Sequence, residues 1–145
     1  MAWLKSMMEK EPPEPANPIG TVVVGTLEPD THDTPKEVVR KALKSAGFRT
    51  ADVGKGASPQ SFIDKAKEVD ADVICLTMSN IGAKQNAKKL SELMEQAGMK
   101  GKVGFIMGGA VTKKEDAEAL GALWGRTKDE APGLAKKAMQ AVGKK

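Results

Sequence analysis

The sequence is poor in the residue types that build several common kinds of site. It has one cysteine, so an internal disulfide is excluded, and one histidine, so a metal cage made of several histidines is excluded as well. It has no tyrosine, two tryptophans and three phenylalanines, which leaves few side chains to stack on nucleic acid bases. Cys75 lies inside the apolar run 71-ADVICLTM-78 and is predicted to pack as a small hydrophobic residue.

Long apolar runs are also missing. No segment has the apolar length of a signal peptide or a membrane span, and we therefore expect a cytoplasmic protein with no membrane partner. The net charge is +4, but the lysines are dispersed over helical segments with carboxylates between them. This dispersion favours a solvated basic surface, so no nucleic acid partner is expected.

The first 18 residues differ in composition from the rest of the chain. The stretch 11-EPPEPANP-18 places four prolines in eight residues, which cannot hold a helix. Residues 1–18 are therefore predicted to form an N-terminal arm or linker. Residues 19–145 are long enough to form one domain that buries roughly two-thirds of its unfolded surface.

Strand-like and helix-like patterns alternate from residue 19 onwards. Apolar and β-branched runs occupy 20–27, 49–54, 71–77, 102–109 and 120–125, and helical patterns occupy 35–46, 58–68, 83–97, 113–120 and 131–142. Ser58 and Thr112 are the predicted N-caps of two of these helices. This alternation predicts an α/β protein with a flavodoxin-like (Rossmann-like) five-stranded parallel sheet, in the order 2-1-3-4-5, with helices on both faces.

Ligands of such sheets bind at the carboxyl ends of the strands, near the switch point between the first and third strands. The loops at that edge are 26-TLEPDTHDTPK-36, 77-TMSNIGAK-84, 108-GGAVT-112 and 124-WGRT-127. In chain order they contain Asp30-x-His32-x-x-Pro35, Thr77-Met78-Ser79 and Gly108-Gly109.

These three motifs, in this order and spacing, resemble the cobalamin-binding domain of corrinoid proteins. The signature of that family is Asp-x-His-x-x-Gly after the first strand, Ser-x-Leu after the third and Gly-Gly after the fourth. The resemblance runs from about Gly20 to Ala141. It implies a cobalamin cofactor, as methylcobalamin or hydroxocobalamin, whose dimethylbenzimidazole base leaves the cobalt while the nucleotide tail enters a slot along the sheet.

A corrinoid removes the difficulty of a single histidine. The corrin ring already gives cobalt four nitrogen ligands, so one imidazole completes the lower face, and the resemblance assigns that place to His32. A ligating imidazole usually donates its other N–H to a carboxylate, and Asp30 is the predicted partner. A glycine pair fits a slot where the tail lies against bare backbone, and the Thr77 hydroxyl can bond the benzimidazole.

The resemblance carries a wider set of cofactor-binding residues with it. Ala110, Val111, Trp124 and Gly125 are expected to line the lower part of the slot. His32 is the only predicted metal ligand, and no catalytic residue is assigned. The full cofactor-binding prediction is Asp30, Thr31, His32, Asp33, Thr34, Pro35, Lys36, Thr77, Met78, Ser79, Gly108, Gly109, Ala110, Val111, Trp124 and Gly125.

The sequence departs from the family pattern at four positions. Thr77 stands where the signature has serine and keeps the hydroxyl. Pro35 stands where the signature has glycine, which fixes φ and removes an N–H near the start of a helix. Ser79 replaces the leucine of Ser-x-Leu. Ala83 stands where methionine-synthase-like members have a serine that extends the histidine–aspartate relay, so the relay is expected to stop at Asp30.

Two branches of the family differ in function. Asp33 and Lys36, which follow His32 as in methyl-transfer members, favour a methyl carrier, whereas the chain length also fits the small cobalamin-binding subunit of an adenosylcobalamin-dependent mutase. We therefore expect a non-catalytic carrier of a methyl group on cobalt, with methyltransferase chains or a reductive activase as partners. The alternatives are the mutase subunit and a cobalamin carrier or sensor without turnover, and a homodimer is left open.

Two other proteins with this fold suit the sequence less well. A receiver domain needs a phosphorylatable aspartate after the third strand, and 77-TMSN-80 has no carboxylate. A flavodoxin needs a hydroxyl-rich phosphate loop and aromatic residues around its flavin, and 28-EPDTHDTPK-36 supplies neither well.

Overall fold

The computed structural model describes residues 11–144. The part of the predicted arm before residue 11 therefore lies outside the described residues. The strands are β1 (Thr21–Leu27), β2 (Arg49–Ala57), β3 (Val73–Thr77), β4 (Gly104–Gly108) and β5 (Leu123–Gly125). The helices are α1 (Asp33–Ser45), α2 (Pro59–Val69), α3 (Lys84–Gln96), α4 (Lys114–Ala119) and α5 (Ala131–Ala141), with 3₁₀ turns at Ile81–Ala83 and Lys128–Glu130.

The five strands form one parallel sheet in the order β2-β1-β3-β4-β5, which confirms the predicted fold. In the centre of the sheet Val24 pairs with Cys75, and Cys75 pairs with Ile106. All five residues of β3 are buried, as expected for a strand that is covered on both faces. Cys75 belongs to the core, as predicted, and its burial raises the pKa of the thiol to about 12.

The two faces of the sheet bury different sets of residues. The α1/α5 face carries the core residues Val22, Val24, Val39, Leu43, Phe48, Val73, Cys75, Ile106, Ala131, Ala135, Ala138 and Met139. The α2/α3/α4 face carries larger side chains, including Phe62, Leu76, Met78, Leu90, Met94, Phe105 and Met107. Alternate residues of each strand thus enter separate layers of the core.

Local sequence signals explain the start of α2 and the end of α1. The Ser58 hydroxyl accepts the Ser61 N–H at 3.2 Å, so Ser58 caps α2 as predicted. Gly47 follows α1 with φ of 104°, a conformation that glycine adopts without strain. The predicted Thr112 cap was wrong, because α4 begins after Lys113 and the Thr112 hydroxyl bonds the Gly109 carbonyl instead.

The described part of the arm lies along α1 through ion pairs. Glu11 bonds the Arg40 guanidinium at 2.6 and 2.8 Å and the Lys44 ammonium at 2.6 Å. Glu14 pairs with Lys44 at 2.9 Å. Hydrogen bonds from Arg40 and then Lys44 lower the pKa of Glu11 to about 2. These ion pairs hold residues 11–14 against the helix.

Of the helices in residues 11–144, none has the length and apolar character needed to traverse a lipid bilayer.

Candidate functional site

The loop after β1 is fixed by backbone contacts to the end of β2. The Asp30 N–H donates to the Leu27 carbonyl at 2.8 Å, which closes a tight turn. The Asp30 carbonyl accepts the Gly56 N–H at 2.8 Å and the Thr26 hydroxyl at 3.0 Å. These bonds are made within the protein, so the conformation of the loop does not depend on a ligand.

The Asp30 carboxylate is the centre of this loop. It is fully buried and accepts hydrogen bonds from the backbone N–H of Ser79 at 2.6 Å and of His32 at 3.0 Å. Its Oδ1 also lies 2.8 Å from Nδ1 of the His32 ring. Burial acts to raise the pKa of Asp30, but the bonds from Ser79 and His32 outweigh it and the pKa is lowered. Asp30 is therefore a buried carboxylate whose acceptor oxygens are used.

The His32 ring is oriented by this contact. An ionised carboxylate only accepts hydrogen bonds, so Nδ1 carries the proton that points to Asp30, and Nε2 keeps its lone pair. The side chain is 57% exposed, and Nε2 has no partner within residues 11–144. This arrangement presents one neutral imidazole nitrogen to a metal that approaches from outside.

Pro35 is compatible with that geometry. α1 begins at Asp33 with His32 as its N-cap, which places Pro35 in the first turn, where the N–H of a residue has no partner within the helix. Proline therefore costs no hydrogen bond here, and the substitution of the signature glycine does not disturb the Asp30–His32 contact.

A cavity of about 660 Å³ opens between α1, α5 and the carboxyl ends of β3, β4 and β5. Its size is within the range of pockets that hold small molecules and cofactors. Apolar and small residues make up most of its wall. The lining residues are Pro35, Val38, Val39, Ala42, Cys75, Leu76, Thr77, Ile106, Met107, Gly108, Gly109, Ala110, Gly125, Arg126, Thr127, Lys128, Asp129, Ala131 and Leu134.

Thr77 supplies a polar group to this largely apolar wall. Its side chain is 4% exposed, and its hydroxyl is the one buried side-chain polar atom without a hydrogen-bond partner within the described residues. A buried hydroxyl without a partner costs free energy unless a ligand supplies one. The oriented imidazole, the cavity and this hydroxyl together fit a corrinoid whose base has left the cobalt.

Comparison with known families agrees with this geometry. Residues 20–135 match the B12 binding domain. The chain belongs to the B12-binding domain family. Its cofactor is accordingly a corrinoid, cobalamin.

Individual relatives place this B12-binding domain among corrinoid proteins. It is 38% identical over 124 residues to the dimethylamine corrinoid protein of Methanosarcina barkeri, and the alignment covers 84% of this chain and 56% of that protein. The chain thus spans about half the length of the curated relatives that it matches.

Two solved structures from Methanosarcina barkeri share the fold. The methanol:cobalamin methyltransferase complex MtaBC matches with a TM-score of 0.79 at 20% identity, over 85% of this chain and 47% of that one. The monomethylamine corrinoid protein matches with a TM-score of 0.78 at 19% identity, over 92% of this chain and 62% of that one. At these identities the likeness shows the fold alone.

Gly108 and Gly109 of the B12-binding domain also have a reason to be glycine that does not depend on a ligand. A Cβ on Gly108 would lie 2.8 Å from the Gly125 carbonyl oxygen, and one on Gly109 would overlap the Met78 backbone. Gly109 also has φ of 126°, which L side chains rarely adopt. Both glycines line the cavity, and neighbouring backbone by itself excludes a side chain at either position.

Lys36 is placed away from the cavity wall. Its ammonium is buried and pairs with Asp52 at 2.6 Å, Glu37 at 2.9 Å and Asp33 at 3.4 Å. Burial acts to lower the pKa of Lys36, and its hydrogen bonds to Asp52 and Glu37 outweigh that effect and raise it. Lys36 therefore joins α1 to β2. Its predicted role in cofactor binding stays a prediction, as do those of the exposed residues Thr31 and Thr34.

Three residues of the predicted set lie on the other face of the sheet. Met78 is buried in the core under α2, α3 and α4, and Val111 and Trp124 pack against that core. The Trp124 indole N–H donates to the Thr112 hydroxyl at 3.0 Å. Val111 and Trp124 therefore do not line this cavity, and their predicted place along the nucleotide tail stays a prediction. Side chains alternate along β5, so Gly125 faces the cavity and its neighbour Trp124 faces away.

Two groups of cavity residues were missed by sequence reasoning. Val38, Val39 and Ala42 were recognised only as the inner face of a helix, since helical spacing does not tell a filled interior from an open one. Residues 126–129 follow β5, and Arg126 and Thr127 belong to the predicted edge loop 124-WGRT-127, but none of the four was assigned to cofactor binding because they belong to no motif. Their position at the carboxyl end of a strand was the available signal.

Proposed function

We propose that this chain is the B12-binding module of a corrinoid protein that carries a methyl group on cobalt, with His32 as the lower axial ligand. The observation that carries the proposal is the Asp30–His32 pair, in which a buried carboxylate fixes the tautomer and leaves Nε2 available. Similarity to the dimethylamine corrinoid protein supports a system that takes its methyl group from a methylated amine.

The residues of the chain would share the work as follows. Asp30 orients the imidazole and increases its basicity, and the Ser79 N–H holds Asp30 in place. The Thr77 hydroxyl donates to the acceptor nitrogen of the displaced benzimidazole, which gives this buried group its missing partner. Bound cobalamin supplies a cobalt that accepts and donates a methyl group. We propose separate methyltransferase chains, and a reductive activase, as the partners.

A titration with hydroxocobalamin tests the ligand assignment. We expect the wild type to convert the cofactor to the base-off/His-on spectrum, and His32→Ala to abolish that spectrum. Asp30→Asn should weaken binding about 10–100-fold, as is typical when the partner of a metal-ligating histidine is lost. Asp64→Asn, which removes an exposed carboxylate from α2, is the matched control and should bind like the wild type. Failure of the wild type to bind would overturn every corrinoid function.

A second experiment separates methyl carriage from the mutase alternative. The cobalamin-loaded protein is reduced and treated with methyl iodide, and the methylated cofactor is detected by its absorption. A protein that accepts only adenosylcobalamin and restores activity to a mutase large subunit would contradict the proposed function.

A further inference from the structure

The charged residues of the cavity wall are confined to one short segment. Arg126, Lys128 and Asp129 all belong to the loop that joins β5 to α5, and every other lining residue is apolar, a glycine, a threonine or the neutral Cys75. The charges of the cavity wall are therefore all on one side: the buried Thr77 hydroxyl is on the central strand β3, and the charges follow β5, the outer strand two positions away.

The two cations of this segment are available to a ligand. Arg126 and Lys128 are exposed, and neither forms an ion pair or a side-chain hydrogen bond with any residue between 11 and 144. The neighbouring acids are partly engaged. Glu130 accepts the N–H and the hydroxyl of Thr127, each at 3.0 Å, and the nearby Thr127 side chain lowers the pKa of Asp129. These bonds hold the loop while both cations remain unpaired.

We infer that Arg126, assisted by Lys128, binds the phosphodiester of the cofactor's nucleotide tail and makes the site selective for corrinoids that carry this tail. The inference rests on the proposed function. A nucleotide tail joins an aromatic base, a ribose and one phosphate anion, which matches a wall that is apolar in most places, has one buried hydroxyl and has cations at one end. A guanidinium binds two phosphate oxygens through its forked N–H groups.

A substitution of Asp129 should change the Kd for cobalamin in the direction opposite to a substitution of Arg126 or Lys128. Its carboxylate lies on the same wall and opposes a bound phosphate, so removing its charge should strengthen binding of a tailed corrinoid. If the loop had only a structural role, loss of a cation at Arg126 or Lys128 and loss of the carboxylate at Asp129 would both weaken cobalamin binding.

The test compares cobalamin with cobinamide, which lacks the phosphate, ribose and base. For Arg126→Gln and Lys128→Gln we expect the Kd for cobalamin to rise about fivefold, the scale of one exposed charge-assisted contact, with no change for cobinamide. Asp129→Asn should lower the Kd for cobalamin. Lys137→Gln, which removes an exposed cation from α5 away from the cavity, is the matched control and should change neither Kd.

Two further measurements keep the outcomes separate. Binding of the free benzimidazole nucleoside and of its phosphate reports the phosphate contact without cobalt or His32, and Arg126→Gln should weaken binding of the phosphate alone. Equal weakening of both probes, an unchanged Kd for cobalamin, or no binding of the phosphate by the wild type would overturn the inference. His32→Ala, by contrast, should weaken the binding of cobalamin and cobinamide alike. An unchanged Kd for both in His32→Ala would contradict the proposed function and would leave the role of Arg126 in phosphate binding untouched.

Discussion

The two faces of the sheet are built from the same strands but are filled differently. On the α2/α3/α4 face, Phe62, Met78 and Met94 are almost completely buried, and large side chains fill the layer. On the α1/α5 face, Ala42 of α1, Gly108 of β4 and Ala131 of α5 are small and line a cavity of about 660 Å³. Close packing is the norm for protein interiors, so this cavity is the place where we propose that the cofactor binds.

Truncation of a large side chain should show the strongest contrast between the faces. Phe62→Ala removes a fully buried ring from the filled face and should lower the free energy of unfolding by about 3–5 kcal/mol. Leu134→Ala, at the wall of the cavity, should cost about 1 kcal/mol, because part of this side chain already faces open space. Urea denaturation measures the free energy of unfolding of both variants. Equal decreases would contradict the view that one face is filled and the other is open.

Enlargement of an alanine should reverse the pattern. Ala87→Leu adds atoms to the filled face and should destabilise the protein by about 1–3 kcal/mol. Ala42→Leu, which points into the cavity wall, should leave stability almost unchanged while it weakens cobalamin binding by about tenfold or more, since it takes volume from the ligand. The two variants are compared by urea denaturation and by cobalamin titration. Loss of stability without loss of binding in Ala42→Leu would show that this cavity is not the cofactor site.

Two buried threonines differ in their hydrogen bonds: the Thr26 hydroxyl has two partners, and the Thr77 hydroxyl at the cavity has none within the described residues. The Thr26 hydroxyl donates to the Asp30 carbonyl and accepts the Gly56 N–H, so Thr26→Val should cost about 1–2 kcal/mol. Thr77→Val should be neutral or stabilising in the cofactor-free protein, because the hydroxyl that it removes has no partner within the described residues. It should nevertheless weaken cobalamin binding. Thermal denaturation with and without cobalamin distinguishes these outcomes.

The smallest effect on stability is expected for Glu37, whose ion pairs lie on the outer side of α1, while the inner side of this helix lines the cavity. Hydrogen bonds from Arg40 lower the pKa of Glu37 to about 2, against the opposing effect of burial, and Lys36 adds to the shift. Because the folded pKa lies below the unfolded one, this stabilisation is complete above about pH 4.5 and is lost as the pH falls towards 2.

After solvent screening, that contribution should be about 1 kcal/mol. Glu37→Gln should therefore reduce the loss of stability between pH 5 and pH 2.5 in urea denaturation. Glu92→Gln, which changes an exposed residue of α3 without an ion pair in the described part of the chain, is the control. Identical pH profiles for Glu37→Gln and the wild type would show that the outer ion pairs contribute nothing.

The sequence was sufficient to predict the sheet order and the contact between Asp30 and His32. Both follow from local patterns: alternating apolar runs specify the sheet, and a two-residue separation in an extended loop places the carboxylate beside the ring. The B12-binding domain family was also identified from motifs that lie at one edge of that sheet.

The rest depended on packing and register. The orientation of Trp124 depends on the phase of a three-residue strand, which is too short to show a pattern. Lys36 was assigned by motif, but its partner Asp52 is 16 residues away on β2, and only the folded chain brings them together. The cavity exists because the side chains between α1, α5 and the sheet are together too small to fill the space, and no single residue in the sequence indicates this.

The contact between Asp30 and the Ser79 N–H has a consequence for how this protein can change over time. A backbone N–H is present in every amino acid except proline, so position 79 can vary in side chain while the carboxylate stays in place. Thr77, two residues earlier, contributes through its own hydroxyl and has no such freedom. An aligned set of descendants could therefore appear variable at the position that anchors Asp30, and only proline there would break the anchor.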